Sequence, residues 1–224
     1  SLIINSKSKT VVLGKFGWKA SVPSLIQQNS IAALQDLGLT TPLHKSQDCF
    51  PNDTRCTLTD NDKPPEIKKY LLDQLNTYVS ELAVPKQRGP RLPEVIKGKK
   101  RFREANCHLC HMPTILIESR SKTTNTTEYI HPFSDLLLHD MGEELGEQST
   151  HNSECNNEWR TPPLWGIGLT HKVSNNSYFL HDGRARSIEE AILWHNGEAK
   201  ESKEIFRKMP KKHRRELISF LGSL

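Results

Sequence analysis

Cys107-His108-Leu109-Cys110-His111 reads C-x-x-C-H, the attachment signature of a c-type haem. Each position answers a chemical need. The two thiols add across the haem vinyl groups as thioethers, and His111 swings beneath the ring as the proximal iron ligand. A zinc site would need a second pair of ligands at short spacing, which Cys49, Cys56 and Cys155 do not supply. A thioredoxin-type motif would need a βαβ context that the chain lacks. One covalent haem c, held by Cys107, Cys110 and His111, is the expectation.

Upstream, Val95, Ile96, Phe102 and Ala105 face one side of a helix over about 94–107, with Lys97, Lys99, Lys100, Arg101 and Arg103 on its wet side. A second apolar helix, over about 211–221, closes the chain with Leu217, Ile218, Phe220 and Leu221. A helix carrying Gly98 and Phe102 into C-x-x-C-H, crossed by an apolar C-terminal helix, resembles the frame of class I cytochromes c. The fold class expected is therefore mainly α, a cytochrome c-like domain with long loops over 94–224. Residues 1–93 form an N-terminal arm and helices that pack on it, beginning with short β-prone runs (Leu2-Ile3-Ile4 and Val11-Val12-Leu13).

In that arm a helix is expected from Pro23 to Leu37, ended by Gly38, then loop from Thr40 to Asp62. Pro64-Pro65 opens another helix whose Ile67, Leu71, Leu75, Tyr78 or Val79, and Leu82 make an apolar stripe. Three prolines within 85–93 mark a linker. Cys49 and Cys56 bracket a polar, turn-rich loop that a disulfide would staple, and such bonds persist in oxidising compartments. Cys155 is left over. Past the haem motif, Ser119–Thr127 reads as a hairpin or loop, 128–186 is loop-rich, and Ser187-Ile188-Glu189-Glu190 is a capping box opening a helix through Trp194.

The 224 residues suffice for one sizeable domain with an elaborated arm. A hydrophobic fraction of 35% and a mean hydropathy of −0.62 point to long loops and polar arms. The formal charge of +5 is modest, and no aromatic-interleaved basic patch argues for nucleic acid. No apolar run reaches the roughly 18 residues of a membrane span. Covalent haem c is attached outside the cytoplasm, so an exported, periplasmic protein is expected, its signal peptide lying outside this chain.

Four further stretches share an order and spacing: Gly17-Trp18-Lys19-Ala20; Glu158-Trp159-Arg160-Thr161-Pro162-Pro163-Leu164-Trp165-Gly166-Ile167-Gly168; Phe179-Leu180-His181-Asp182-Gly183-Arg184-Ala185-Arg186; and Glu189-Glu190-Ala191-Ile192-Leu193-Trp194-His195. With Phe133–Gly142 they resemble the di-haem oxidoreductases sometimes called thiol oxidoreductases, a branch of the bacterial di-haem cytochrome c peroxidase superfamily. The likeness covers nearly everything from residue 14. Relatives carry two C-x-x-C-H motifs on two domains, whereas this chain has one, matching the C-terminal domain. A second haem domain or a redox partner protein is implied.

The same resemblance implies the sixth ligand. In the superfamily the distal residue of the C-terminal haem stands fourteen positions after the His of a His-Asp-Gly or His-Asn-Gly motif, and fourteen positions after His181 stands His195. Met141 is the alternative distal ligand, since thioether ligation is common in cytochromes c, and an open position is the third option. Met112 directly follows His111 and cannot reach the opposite face. His139 and His181 are candidates to bond a propionate or a backbone carbonyl, and Arg184, Arg186 and Arg160 to pair with propionates bidentately. Trp165 and Trp194 stand as core residues or as bridges between redox centres. Two strong axial ligands favour electron transfer, and a labile sixth ligand favours peroxide reduction. The expected function is electron transfer within a di-haem oxidoreductase. Peroxidase-like chemistry is the alternative, with His139 or His181 as the acid/base group.

Overall fold

The computed structural model describes residues 2–4, 11–50, 52–59, 64–120, 125–147 and 156–224. Cys155 lies outside them. The fold is mainly α-helical, with small two-stranded antiparallel sheets, and divides into two units, Ser1–Ala83 and Val84–Leu224. Residues 84–93, grouped with the arm on sequence, lie in the second unit. There the Arg88 backbone N–H donates to Ser223 O at 2.8 Å, and its guanidinium donates to the carbonyls of Gly222 and Leu224. Among the described residues no helix is long and apolar enough to cross a membrane.

In the first unit β1 (Leu2–Ile4) pairs antiparallel with β2 (Val11–Leu13). Helix α1 (Leu25–Leu37) ends at Gly38, which takes the left-handed conformation, and packs against α3 (Lys69–Ser80). The expected loop between them contains a short helix, α2 (Thr54–Thr59), and is closed by a Cys49–Cys56 disulfide with 5.8 Å between Cα atoms. Helix α3 starts later than Pro64-Pro65 suggested. Glu66 accepts hydrogen bonds from the backbone N–H and hydroxyl of Thr40, which holds 64–67 against the loop instead of in a first turn. Its stripe also corrects the sequence reading: Leu72 is buried, while Leu71, Leu75, Tyr78 and Leu82 are exposed.

The second unit is built on the crossing of α4 (Pro93–Glu104) and α8 (Lys211–Ser223). Pro93 suits the start of α4, where its missing N–H costs nothing, while Glu94 in the first turn and Arg101 and Arg103 in the last suit the helix dipole. The crossing is close because of Gly98. A Cβ there would lie 2.0 Å from Glu216 O and 2.5 Å from Phe220 Cβ, so only glycine allows this approach. Phe102, Phe206, Leu217 and Phe220 are fully buried, each stabilising the unit by about 2 kcal/mol. Phe102, Phe133 and Phe220 meet edge to face, with ring centres 5.4–6.1 Å apart. Val95 is buried as expected, but Ile96, expected inward, is exposed. Arg101 ties the pair from outside, donating to Glu216 of α8 at 2.9 Å, and also donates to Glu104 of its own helix at 2.7 Å.

Between the two helices the chain forms a hairpin, β3 (Ile115–Arg120) with β4 (Asn125–Ile130), and a second pair, β5 (Leu138–Asp140) with β6 (Glu158–Arg160). A short helix α5 (Thr170–Ser174) follows, then α6 (Ile188–Trp194) and α7 (Lys200–Lys208). The sequence reading missed α7 because its buried anchor, Phe206, stands in a run of charged residues. Ser187 caps α6 as expected, its Oγ accepting from Glu190 N. The reciprocal bond lands one residue early, from Arg186 N to the Glu190 carboxylate.

Candidate functional site

Asn106, left-handed at φ 61, turns the chain sharply out of α4 into a 3-10 turn over Cys107–Leu109. Asparagine tolerates that conformation better than most residues. His111 follows at once, its backbone N–H donating to Cys107 O, so cysteines and histidine are held on one tight turn. Both thiols are part-buried. Burial pushes the Cys107 thiol up to about 12. Burial, then the nearby Asp135 and Glu198 carboxylates, also raise Cys110. Both shifts favour the uncharged thiol.

The His111 ring lies 6.4 Å from Phe102 and 6.3 Å, centre to centre, from the ring of His195. Its Nδ1 donates to Phe133 O at 3.0 Å. Phe133 reaches this position with φ 52, a left-handed backbone that costs a side-chain-bearing residue roughly 1–2 kcal/mol, while its ring anchors in the core. His195 caps the C-terminus of α6, and its Nδ1 donates to Ala191 O at 2.7 Å. A carbonyl only accepts, so both imidazoles carry their proton on Nδ1 and leave the Nε2 lone pair free for a metal. Burial pushes His111 down to about 4, with repulsion from His195 adding to it, and burial also lowers His195. Both shifts favour the neutral ring, the form that metal ligation requires.

The spacing provides a test of fit. Two imidazoles on opposite sides of one metal ion, each bonded at about 2.0 Å, have ring centres roughly 6 Å apart. The 6.3 Å separation, with the ring planes at 48°, is close to that spacing. Leu109, Leu137 and Leu193, on the three segments that carry the site, are exposed apolar side chains of the kind a flat hydrophobic ring covers.

Met141 stands just past β5, its backbone N–H bonded to Asn157 O, and the ring facing His111 is that of His195. The segment leaving His195 is pressed onto the same strand. A Cβ on Gly197, which has φ 53, would lie 2.2 Å from Asp140 O. The turn after the helix thus passes directly over the end of β5.

The other expected site residues lie elsewhere in the second unit. His139 has both ring nitrogens engaged by carboxylates, Nε2 to Asp135 at 2.9 Å and Nδ1 to Glu198 at 2.7 Å, so as placed it has none left for a propionate. His181 lies flat on Trp159, ring centres 3.5 Å apart at 14°, with its Nε2 3.9 Å from Asp182. Arg184 donates to Asp182 at 2.5 Å and to Glu144 O, and its guanidinium sits 4.9 Å over the Trp194 ring. Arg160, on β6, is part-buried, and burial lowers its pKa. Trp165 donates to His131 O at 2.5 Å. The sequence reading missed Asp135 and Glu198. Asp135 is four residues from His139 and could have been paired with it, but nothing local signals Glu198, 59 residues away.

A family model described as "Di-haem oxidoreductase, putative peroxidase" matches residues 4–224. No curated protein and no solved structure matches the chain.

Proposed function

The chain belongs to the di-haem oxidoreductase family, and from that premise we propose that its second unit is a cytochrome c-like electron-transfer domain. It holds one covalent haem c through Cys107 and Cys110, with His111 and His195 as axial ligands. It serves a periplasmic di-haem oxidoreductase, exchanging electrons with a second haem domain or a redox partner protein. The observation that carries this reading is the facing pair of imidazoles at 6.3 Å, each turned to offer Nε2 by a backbone carbonyl.

Haem held by Cys107, Cys110, His111 and His195 would supply a one-electron iron couple. The chain's own residues do the rest. Phe133 O and Ala191 O fix both ligand tautomers, so no proton moves on the axial rings as the electron comes and goes. The close α4–α8 crossing and the Phe102–Phe133–Phe220 cluster hold the His111 side rigid, which limits rearrangement between the two oxidation states.

Peroxide reduction is the second reading, favoured by the family's description. It requires release of His195, which sits at a helix end rather than within a helix. Optical and EPR spectra of the ferric protein, wild type beside His195→Ala, separate the two. Electron transfer predicts a low-spin wild type without the red absorption of a thioether ligand, and a high-spin variant. An unchanged variant refutes His195 as ligand, and a high-spin wild type favours peroxide chemistry.

A further inference from the structure

Beside the haem-attaching turn lies a cluster to which the axial ligation gives no role. His139, on β5, stands between Asp135 and Glu198, and its Nδ1 is 3.9 Å from Cys110 Sγ. The Sγ, carboxylate and imidazole atoms of Cys110, Asp135 and His139 lie within 4.8 Å of one another. We propose that His139 is the proton-coupled group of this domain, taking up one proton from water as one electron arrives and releasing it on oxidation. The proposal rests on the haem reading above, since it needs an electron-accepting centre joined to Cys110.

The geometry makes the two protonation states unequal. Only a ring protonated on both nitrogens can donate to both carboxylates. When it loses a proton, a lone pair faces a carboxylate oxygen at 2.7 or 2.9 Å. The side chains of Asp135 and His139 are sheltered, 8% and 17% exposed, whereas Glu198 is 54% exposed and opens the cluster to solvent. Glu198 also accepts from Asp140 N at 3.0 Å, which fixes it against β5.

Other polar groups also surround the ring. Cys110 does not titrate as a thioether. His111 donates its Nδ1 proton to a carbonyl, and the Asp140 carboxylate is turned back to Gly142 N. Glu158 and Arg160 lie on the paired strand opposite Asp140 and Leu138, flanking the His139–Trp159 pair. Burial by itself would lower the His139 pKa, but the hydrogen bonds to Glu198 and Asp135 outweigh it and hold the group above its ordinary value of about 6.5.

The electron balance is simple. A soluble one-electron mediator reduces ferric to ferrous iron, the local positive charge falls by one, and one solvent proton converts neutral His139 to its cation. Oxidation reverses both transfers. The sign follows: the His139 pKa is higher in the reduced protein, so the midpoint potential falls as pH rises between the two pKa values and levels off outside them.

The test is a mediated spectroelectrochemical titration of the full haem-loaded chain at pH values from about 5 to 9, spanning histidine titration. The expected wild-type slope approaches about 59 mV per pH unit, the one-electron equivalent of a tenfold change in proton concentration. A pH indicator should register uptake approaching one proton per electron in the same window. His139→Gln should abolish both while keeping the wild-type ferric spectrum. Glu198→Gln, an exposed substitution with little risk to folding, should move the sloping window to lower pH by removing a partner of the charged ring. A flat wild-type potential overturns the proposal. So does a slope that survives His139→Gln, or a window that Glu198→Gln leaves in place. Failure of the ligation reading is seen separately, in the His195→Ala spectra.

Discussion

Gly98→Ala should destabilise the second unit although alanine is the better helix former. In an exposed helix interior the change would gain about 1 kcal/mol. Here the new Cβ falls 2.0 Å from Glu216 O, 2.8 Å from Glu216 C and 2.5 Å from Phe220 Cβ. Backbone atoms cannot step aside as a flexible side chain would, so the helices must part by roughly 1 Å, which forfeits a quarter to a half of each contact across the crossing. Overpacking of this kind costs typically about 1–3 kcal/mol, and a clash with backbone belongs at the upper end. The net loss is about 2 kcal/mol, or a fall in Tm of about 4–8 °C for a unit of this size. Gly222→Ala is the control: it lies in α8, and a Cβ there meets nothing within 4 Å. Thermal melts of haem-loaded wild type and both variants, followed by far-UV circular dichroism, measure the difference. Gly98→Ala melting at or above wild type would refute the close-crossing argument, as would equal losses in the two variants.

Two further predictions concern stability. The Arg101 guanidinium holds the Glu216 carboxyl below the usual carboxylate range, so the pair's contribution is present above about pH 4 and is lost as pH falls through the lowered pKa. Acid denaturation of Glu216→Gln should accordingly begin from a less stable state at neutral pH and show a shallower decline between about pH 5 and 2; curves with equal slopes would count against the pair. Opening the Cys49–Cys56 bond, with its sequence separation of 7, should destabilise the first unit by about 2 kcal/mol on the chain-entropy estimate. Urea melts of wild type and Cys49→Ser, monitored on the first unit by hydrogen exchange, test this. Identical midpoints would show the loop to be held by other contacts.

Local order was the part of this molecule most open to reading. The Ser187 capping box opens α6, Gly38 closes α1, and the turn-rich run between Cys49 and Cys56 is stapled, because each depends on residues within a few positions of one another. The apolar stripe of α3 shows where periodicity falls short. It predicts an amphipathic helix correctly, but which side is covered depends on what packs there, and Leu72 rather than Leu71 or Leu75 is buried. Short α7 was hidden because a single buried phenylalanine among charges gives no period.

The sequence by itself determined the chemistry on offer: two thiols and a histidine in C-x-x-C-H, a glycine and an aromatic residue on the helix before them, and membership of a haem-binding family. Only the tertiary structure decided how histidines far apart in the chain are oriented. His195 faces His111 because α6 packs on the core through Ile188 and Ile192, its last carbonyls hold the ring, and Gly197 lets the exit turn press onto β5. His139 acquires two carboxylate partners for a like reason, one four residues away and one brought from the turn beyond α6. A spacing rule acts along the chain, whereas hydrogen-bond direction and close approach act across it, so the second kind of fact exists only once the chain has folded.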